Sequence, residues 1–252
     1  MKEIRIIGLT TIPIVRMGDD IAELILDALN RENVALCDGD VILIAQSIVS
    51  KAEGAVIDLQ NVKVSPFARR IAERLNKDPR IVEVILQESN EIVRMGQGHI
   101  ITETKHGFVC ANSGVDRSNV GNKEKVTTLP KDPDLSAQRI REKIMKKTRK
   151  KIAVIITDTT GRPLRVGVIG SAIGVAGIDP LLDKRGSEDL FGYKLRATII
   201  ALADELASAA MLMMGEANER IPVVIIRGVN YKVDENASAK KLIMPREKDL
   251  FR

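Results

Sequence analysis

Three short apolar runs constrain this chain more than any other feature in it. Residues 41–45 read Val-Ile-Leu-Ile-Ala behind the turn Gly39-Asp40, and residues 152–157 read Ile-Ala-Val-Ile-Ile-Thr. Residues 222–226 read Pro-Val-Val-Ile-Ile. A short run without polar alternation, bounded by turn residues, reads as a buried strand, and the second of the three is the clearest. A further strand is expected over residues 3–7.

Helical patterns lie between these runs. Asp19 or Asp20 caps a helix reaching about Leu29, with Ile21, Leu24, Ile25 and Ala28 on one face. Ser65-Pro66 is a cap followed by proline at the first helical position and opens a helix to about Leu75. Asp78-Pro79 repeats the signal before residues 81–87. Residues 133–147 form an amphipathic helix with Ala137, Ile140 and Ile144 inward, and residues 193–214 read as the longest helix, closed by Gly215. The middle is irregular, with Gly96, Gly98, Gly107 and Gly114 between short β-like pieces such as residues 99–102. Strands and helices without strict βαβ alternation argue for an α+β or mixed α/β fold. At 252 residues, with no linker or repeat, the chain is expected to be one unit, a single large domain or two interlocked lobes.

Composition removes several classes. Apolar residues make up 44% of the chain, which excludes disorder. Aromatic residues are only 2%, with no Trp, which argues against nucleic-acid binding through base stacking. The net charge of +5 is mild, and its densest basic run, Lys146, Lys147, Arg149, Lys150 and Lys151, reads as a solvated helix end or as an anion patch. Cys37 and Cys110 are too far apart in sequence for a zinc ribbon or disulfide framework to be read. Residues 1–7 carry charge and have no signal-peptide stretch, and residues 166–178 fall short of a bilayer span. The expectation is a soluble, cytoplasmic protein without membrane or nucleic-acid partners.

The absences narrow the chemistry. There is neither a GxxxxGK[ST] phosphate loop nor a GxGxxG dinucleotide turn. His99 and His106 are the only histidines, so a three-histidine metal site is excluded; both read as ordinary surface or strand residues, with residues 99–106 as an exposed turn. The strongest positive signal is Asp158-Thr159-Thr160-Gly161-Arg162-Pro163-Leu164-Arg165. Asp158 falls at the carboxyl end of a buried strand, where open sheets place ligands, and a carboxylate beside hydroxyls supplies hard oxygen donors for Mg²⁺ or Mn²⁺. The bland reading is an aspartate capping a turn before Gly161. A second signal, Ala111-Asn112-Ser113-Gly114-Val115-Asp116 with Ser118-Asn119, is a small-polar loop that lets backbone amides approach an anion and offers Asp116 as another carboxylate. The same composition also makes an ordinary turn. Gln46, Ser47 and Lys51 follow the first apolar run and offer polar groups to a polyphosphate, though Lys51 is equally a surface charge. Glu216 follows the longest helix as a metal ligand or a solvated acid.

Together these pieces resemble the coenzyme F-420 gamma-glutamyl ligase family. The likeness runs through Gly8, Ile12-Pro13-Ile14, Gly18-Asp19-Asp20, Ser50-Lys51-Ala52-Glu53-Gly54 and the Asn112 to Asn119 loop. It continues through Asp158-Thr159, Gly161-Arg162-Pro163, Ala172-Ile173-Gly174, Asp183-Lys184-Arg185-Gly186 and Arg227-Gly228. The resemblance implies a GTP-dependent ligase, using two Mg²⁺ or Mn²⁺ ions and K⁺, that adds L-glutamate to a deazaflavin coenzyme precursor. It implies an interlocked homodimer with a mixed α/β fold, no phosphate loop and no carboxy-terminal flavin-binding extension. Carried over by position, Asp116 and Asp158 hold one metal, and Thr159 and Glu216 the other. The nucleotide site takes Ile12, Pro13, Ile14 and Val15 with Gln46, Ser47, Lys51 and Asn119. It is joined by the turn made of Gly215, Glu216, Ala217, Asn218, Glu219, Arg220, Ile221 and Pro222.

A carboxylate is a poor acyl donor, so the implied reaction first moves the γ-phosphoryl of GTP onto it, making an acyl phosphate that the glutamate amine attacks. The first glutamate enters by an amide bond and the next by a γ-linkage, with GDP and phosphate released. Catalysis then rests on positioning and charge, with Lys51, Asp116 and Asp158 as its residues. Arg162, Arg165 and Arg185 are candidates for holding anionic substrates, on charge and location alone. A metal-dependent nucleotide phosphatase or phosphotransferase would use the same carboxylates without a glutamate acceptor, and a nucleic-acid-binding protein is the third reading.

Overall fold

The computed structural model describes residues 3–250. In chain order the elements are β1 (Arg5–Leu9), α1 (Ile21–Arg31), β2 (Val41–Ala45), α2 (Gln46–Ala52), β3 (Val56–Asp58), α3 (Pro66–Leu75) and α4 (Pro79–Gln87). There follow β4 (Ser89–Gly96), β5 (His99–Thr104), β6 (Val109–Ala111), β7 (Lys125–Thr127) and α5 (Pro133–Thr148). The chain closes with β8 (Ala153–Arg162), β9 (Arg165–Ala176), β10 (Leu182–Asp183), β11 (Ile199–Ile200), α6 (Leu202–Met214) and β12 (Val223–Arg227). The fold is α+β, as the sequence indicates. Among the described residues no helix is long and apolar enough to cross a membrane.

The three apolar runs become the centre of a five-stranded sheet ordered β1-β12-β2-β8-β9, in which only β2 and β8 run parallel. Successive side chains in a strand face opposite ways, so a run apolar at every position needs cover on both faces. On one face Ile42, Ile44, Val154, Ile156, Val223 and Ile225 pack with Ile21 and Ile25 of α1 and Ile140 and Ile144 of α5. On the other, Val41, Leu43, Ala153, Ile155, Val224 and Ile226 pack with Leu202, Leu206 and Ala210 of α6. Each such side chain taken from water contributes roughly 1.5–3 kcal/mol.

A third core joins α3, α4, the β4-β5-β6 sheet and the β3–β7 pair through Ile71, Ile85, Ile100 and Val126. The cap-plus-proline signals set its helix starts. Ser65 accepts from Ala68 N at 3.1 Å and Asp78 from Arg80 N at 2.9 Å, and both prolines take the first helical positions.

Three readings need correction. The helix expected over residues 193–214 begins only at Leu202. Leu195 and Ile199 have helical spacing by coincidence: Ile199 and Ile200 pair with Asp183 and Leu182, and Leu195 N binds Ser187 O at 2.9 Å. The strand expected over residues 152–157 continues to Arg162 and turns into the twelve-residue β9, so Asp158 and Gly161 lie within a long hairpin and not in a loop. Of residues 99–106, expected as an exposed turn, 99–104 are strand β5 with Thr102 and Thr104 buried, and only 105–106 turn.

Two of the three glycines of β9 have a packing cause. A Cβ at Gly170 would meet Ala207 O of α6 at 2.4 Å, and one at Gly174 would meet Pro133 O of α5 at 2.4 Å. Both helices therefore press directly on the backbone of this edge strand. Their first turns also cap its amides: Asp204 accepts from Ala172 N at 2.8 Å and Asp134 from Val175 N at 2.9 Å.

Candidate active site

Sheet register gathers the site. Leu9 at the end of β1 opposes Val223 at the start of β12, and Val223 opposes Ile44. Ala45, which ends β2, opposes Thr157 and donates its N–H to Pro222 O at 2.9 Å. The loop after β1, the turn before β12, the start of α2 and Asp158 on β8 therefore all emerge at one end of the sheet. These are the places that hold residues 12–15, residues 215–222, Gln46 to Lys51, and Asp158 with Thr159.

The loop after β1 is fixed at both ends. Thr10 and Thr11 donate their amides to Glu32 Oε1, each at 2.8 Å, and Gly18 N binds Ala52 O at 2.9 Å, beside Lys51. Ile12 and Val15 turn into the core while Ile14 is 82% exposed, so the loop offers an apolar side chain to a ligand at this position. In the turn before β12, Glu219 accepts from Ala217 N at 2.8 Å, and Ala217, Asn218, Glu219 and Arg220 are exposed.

Asp116 arrives from the other core through one strand pairing. Its backbone exchanges hydrogen bonds with Thr127 at 3.0 and 2.8 Å. The next residue, Thr128, gives its carbonyl to Gln46 Nε2 at 3.1 Å and to Ser50 Oγ at 2.7 Å, and Gln46 also donates to Ser50 at 2.6 Å. The buried Gln46 side chain thus ties α2 to this arm; Ser47 beside it is half-buried. The small residues before Asp116 have a structural cause as well. Ser113 is buried with positive φ and hydrogen-bonds Thr102 and Ser89, each at 2.7 Å, and a Cβ at Gly114 would meet Leu129 at 2.6 Å. Asn119 lies exposed on the turn beyond.

The charges act on one another. Burial pushes the Asp158 carboxyl up to about 6; a hydrogen bond from Thr159 N–H opposes this, and the negative charges of Asp116 and Glu216 add to it. Burial lowers the Lys51 ammonium and Asp116 opposes the change. Glu216 accepts from Thr159 Oγ1 at 2.6 Å. Asp116, Asp158, Glu216 and Lys51, far apart in sequence, therefore share one electrostatic neighbourhood. Among the described residues Asp158 makes no salt bridge, and the two carboxylates that couple to it both raise it.

That arrangement fits a divalent ion by donor chemistry. The groups are carboxylate and hydroxyl oxygens, which suit Mg²⁺ or Mn²⁺, and a cation would relieve the repulsion that raises Asp158. Among the described residues no three His, Cys, Asp or Glu side chains close into a ready metal cage. Protein groups alone would leave coordination positions for phosphate oxygens and water, as is usual for Mg²⁺.

A hollow of about 240 Å³ opens beside Asp158, between Phe108, Cys110, Ile173 and the chain around Ile243. Thr160 and Ser171, hydrogen-bonded at 2.6 Å, and Asp204 complete its polar wall. Sequence reasoning missed Asp204, because a helix begun at residue 193 puts it mid-helix among solvated acids. The true start at Leu202 puts it in the first turn, pointing at the sheet edge. Of the arginine candidates, Arg185 pairs with Asp183 at 2.6 Å, and Arg162 and Arg165 oppose each other at the hairpin tip.

Comparison with known families gives the class. The model of the F420-0:Gamma-glutamyl ligase family matches residues 10–228. The chain belongs to that family and is a ligase. Among similar proteins, a Coenzyme F420:L-glutamate ligase of Methanothermobacter thermautotrophicus is 52% identical, over 99% of this chain and 99% of that one. The protein of the same name from Methanocaldococcus jannaschii is 50% identical over 100% and 98%. The one from Methanosarcina mazei is 39% identical over 98% and 94%.

Proposed function

We propose that this enzyme adds L-glutamate to the precursor of coenzyme F420, first through an amide bond and then through a γ-linkage, with GTP as phosphoryl donor. The observation that carries this is the electrostatic coupling of Asp158 to Asp116 and Glu216, and of Asp116 to Lys51, at one sheet end, with Glu216 accepting from Thr159 Oγ1 at 2.6 Å. In this reading the loop at residues 12–15, Ser47, Asn119 and the turn at residues 215–222 hold the nucleotide, and Gln46 fixes their frame. Lys51 draws the phosphate chain toward the carboxylates. Asp116 and Asp158 would hold one divalent ion, and Thr159 and Glu216 a second, with K⁺ as a monovalent aid. Bound there, the ions would neutralise charge on the transferring phosphoryl group. The protein aligns the acceptor carboxylate with the γ-phosphorus, keeps water from the acyl phosphate and admits the amine that displaces phosphate.

The same reading makes the active unit a homodimer. Leu164 at the hairpin tip is 93% exposed and the nearby Val166 100%, and exposed apolar side chains at one tip favour a partner surface.

Mass spectrometry of the coenzyme after incubation with GTP, Mn²⁺ and L-glutamate tests the reaction. Successive glutamyl increments are expected, with none when GTP is omitted. Phosphate release at the same rate without precursor and glutamate would instead make the enzyme a nucleotide phosphatase. With Asp158→Asn, glutamate addition is expected to fall at least a hundredfold; full activity at ordinary metal concentration would remove Asp158 from the metal site.

A further inference from the structure

We infer that Asp204 receives the ammonium group of the amino acid that attacks the acyl phosphate, and that Lys131 and Lys240 receive its carboxylates. The inference rests on the ligase reading and deepens it, by assigning a place to the second substrate.

The argument starts from the hollow beside Asp158. Its polar lining is Asp158, Asp204 and Asp249 with the hydroxyls of Thr160 and Ser171, and among the described residues no Lys or Arg lines it. With a divalent ion on Asp158, the wall still carries the carboxylates of Asp204 and Asp249, which favour a positively charged group. A volume of about 240 Å³ holds roughly eight water-sized groups. That is ample for an amino acid and more than a bare ion needs. Because Asp158 forms part of the wall, a group held there lies next to the reaction centre.

Asp204 is held rigidly toward this space. Its Oδ1 accepts from Ala172 N at 2.8 Å, and Ser208 on the same helix donates to Gly170 O at 2.9 Å. The contact of Gly170 with Ala207 O leaves α6 no room to move inward. The strand amide occupies Oδ1, and Oδ2 remains for a donor in the hollow. Burial also raises the Asp204 carboxyl, which a bound ammonium would offset.

A second hollow, of about 490 Å³, shares Phe108 and Ile173 with the first, and unlike the first it holds lysines as well as acids. Lys105, Lys131 and Lys240 line it. Its acids are engaged within the fold: Asp132 caps α5 at Leu135 N, 3.0 Å, and Glu235 forms a two-point pair with Arg141 at 2.6 and 2.9 Å. Asp134 accepts from Val175 N, Ala239 N and Ser238 Oγ at 2.9, 3.0 and 2.6 Å. Lys131 and Lys240 are exposed and make no salt bridge among the described residues, whereas Lys105 lies 3.3 Å from Glu88. A hollow walled by carboxylates without Lys or Arg, abutting one that offers two lysines without salt bridges, complements a molecule with one ammonium and two carboxylates.

The step balances. One ammonium proton passes to Asp204 Oδ2, the freed nitrogen pair forms the C–N bond, and the C–O bond to phosphate breaks with its electrons leaving on phosphate. The remaining surplus N–H proton goes to the departing phosphate, and Asp204 returns its proton to water.

The test compares glutamate with glutarate, which keeps both carboxylates but has no amine. Asp204→Asn keeps an oxygen for Ala172 N–H, so the strand edge stays capped. It is expected to raise KM for glutamate at least tenfold and leave Ki for glutarate within twofold. The double variant Lys131→Ala/Lys240→Ala is expected to raise both. Hydroxylamine, a small uncharged amine, should still trap the acyl phosphate as hydroxamate with Asp204→Asn, which shows that the variant is folded and activates the precursor. Equal loss with glutamate, glutarate and hydroxylamine would make Asp204 merely structural. An altered Mn²⁺ or K⁺ requirement with an unchanged glutamate KM would make the hollow a metal site; either result overturns the proposal. If the unaltered enzyme forms no glutamyl product at all, the ligase reading fails first.

Discussion

A methyl group on Gly170 would lie 2.4 Å from the carbonyl oxygen of Ala207. Backbone meets backbone at this crossing of β9 and α6, so the clash cannot be relieved by a side-chain rotation. Gly170→Ala is expected to cost about 2–4 kcal/mol of stability, through strain in a close-packed contact. Denaturant unfolding measures this. Because α6 carries Asp204, glutamate addition should fall further than the folded fraction does.

Asp158 gives the metal-free protein a pH dependence of defined sign. Its folded carboxyl is raised from 3.8 to about 6, so between these values the folded state binds more protons than the unfolded one. Stability is then fully present below 3.8 and is lost as pH rises through about 6. The loss is on the order of 1–2 kcal/mol for a partly exposed group. In chelator, melting temperature should fall from pH 4.5 to pH 7. Asp158→Asn should remove that fall, and a persisting slope would place its cause elsewhere.

Cys110 reports on the same carboxylate. Burial, aided by the charge of Asp158, pushes its thiol up to about 12, so at pH 8 almost all of it is the unreactive protonated form. Alkylation of Cys110 by iodoacetamide at pH 8 should be at least a hundredfold slower than that of a free thiol. It should quicken modestly with Asp158→Asn, since burial is the larger cause. Peptide mapping after timed labelling measures both rates.

Asp40 is fully buried and its carboxylate is held by Arg227 through two bonds of 2.8 Å, with Cys37 N at 2.8 Å. Arg227→Ala leaves that charge without its partner and should cost about 3–5 kcal/mol. Asp40→Asn/Arg227→Leu should recover part of the loss. Chemical denaturation of the three proteins decides.

The central sheet was legible because residues 41–45, 152–157 and 222–226 lack polar alternation, which only a doubly covered strand explains. Helix starts at Ser65-Pro66 and Asp78-Pro79 were legible because a cap and a proline act locally. The start of α6 was not, since pairing of Ile199 and Ile200 with β10 overrides a helical spacing that Leu195 and Ile199 share by chance. In the site, Asp116 and Asp158 stood out as carboxylates near apolar runs, but their meeting depends on Thr127 and Thr128, whose backbone bonds leave no trace in residue type. Asp204 was hidden by the misplaced helix start.

The carboxylates that cap Ala172 and Val175 also determine how this molecule meets others of its kind. A sheet whose last strand keeps its outward amides free invites another strand to add on, and repetition of that step leads to fibres. Here α5 and α6 have already occupied those donors. Growth of the sheet past β9 is blocked along that stretch.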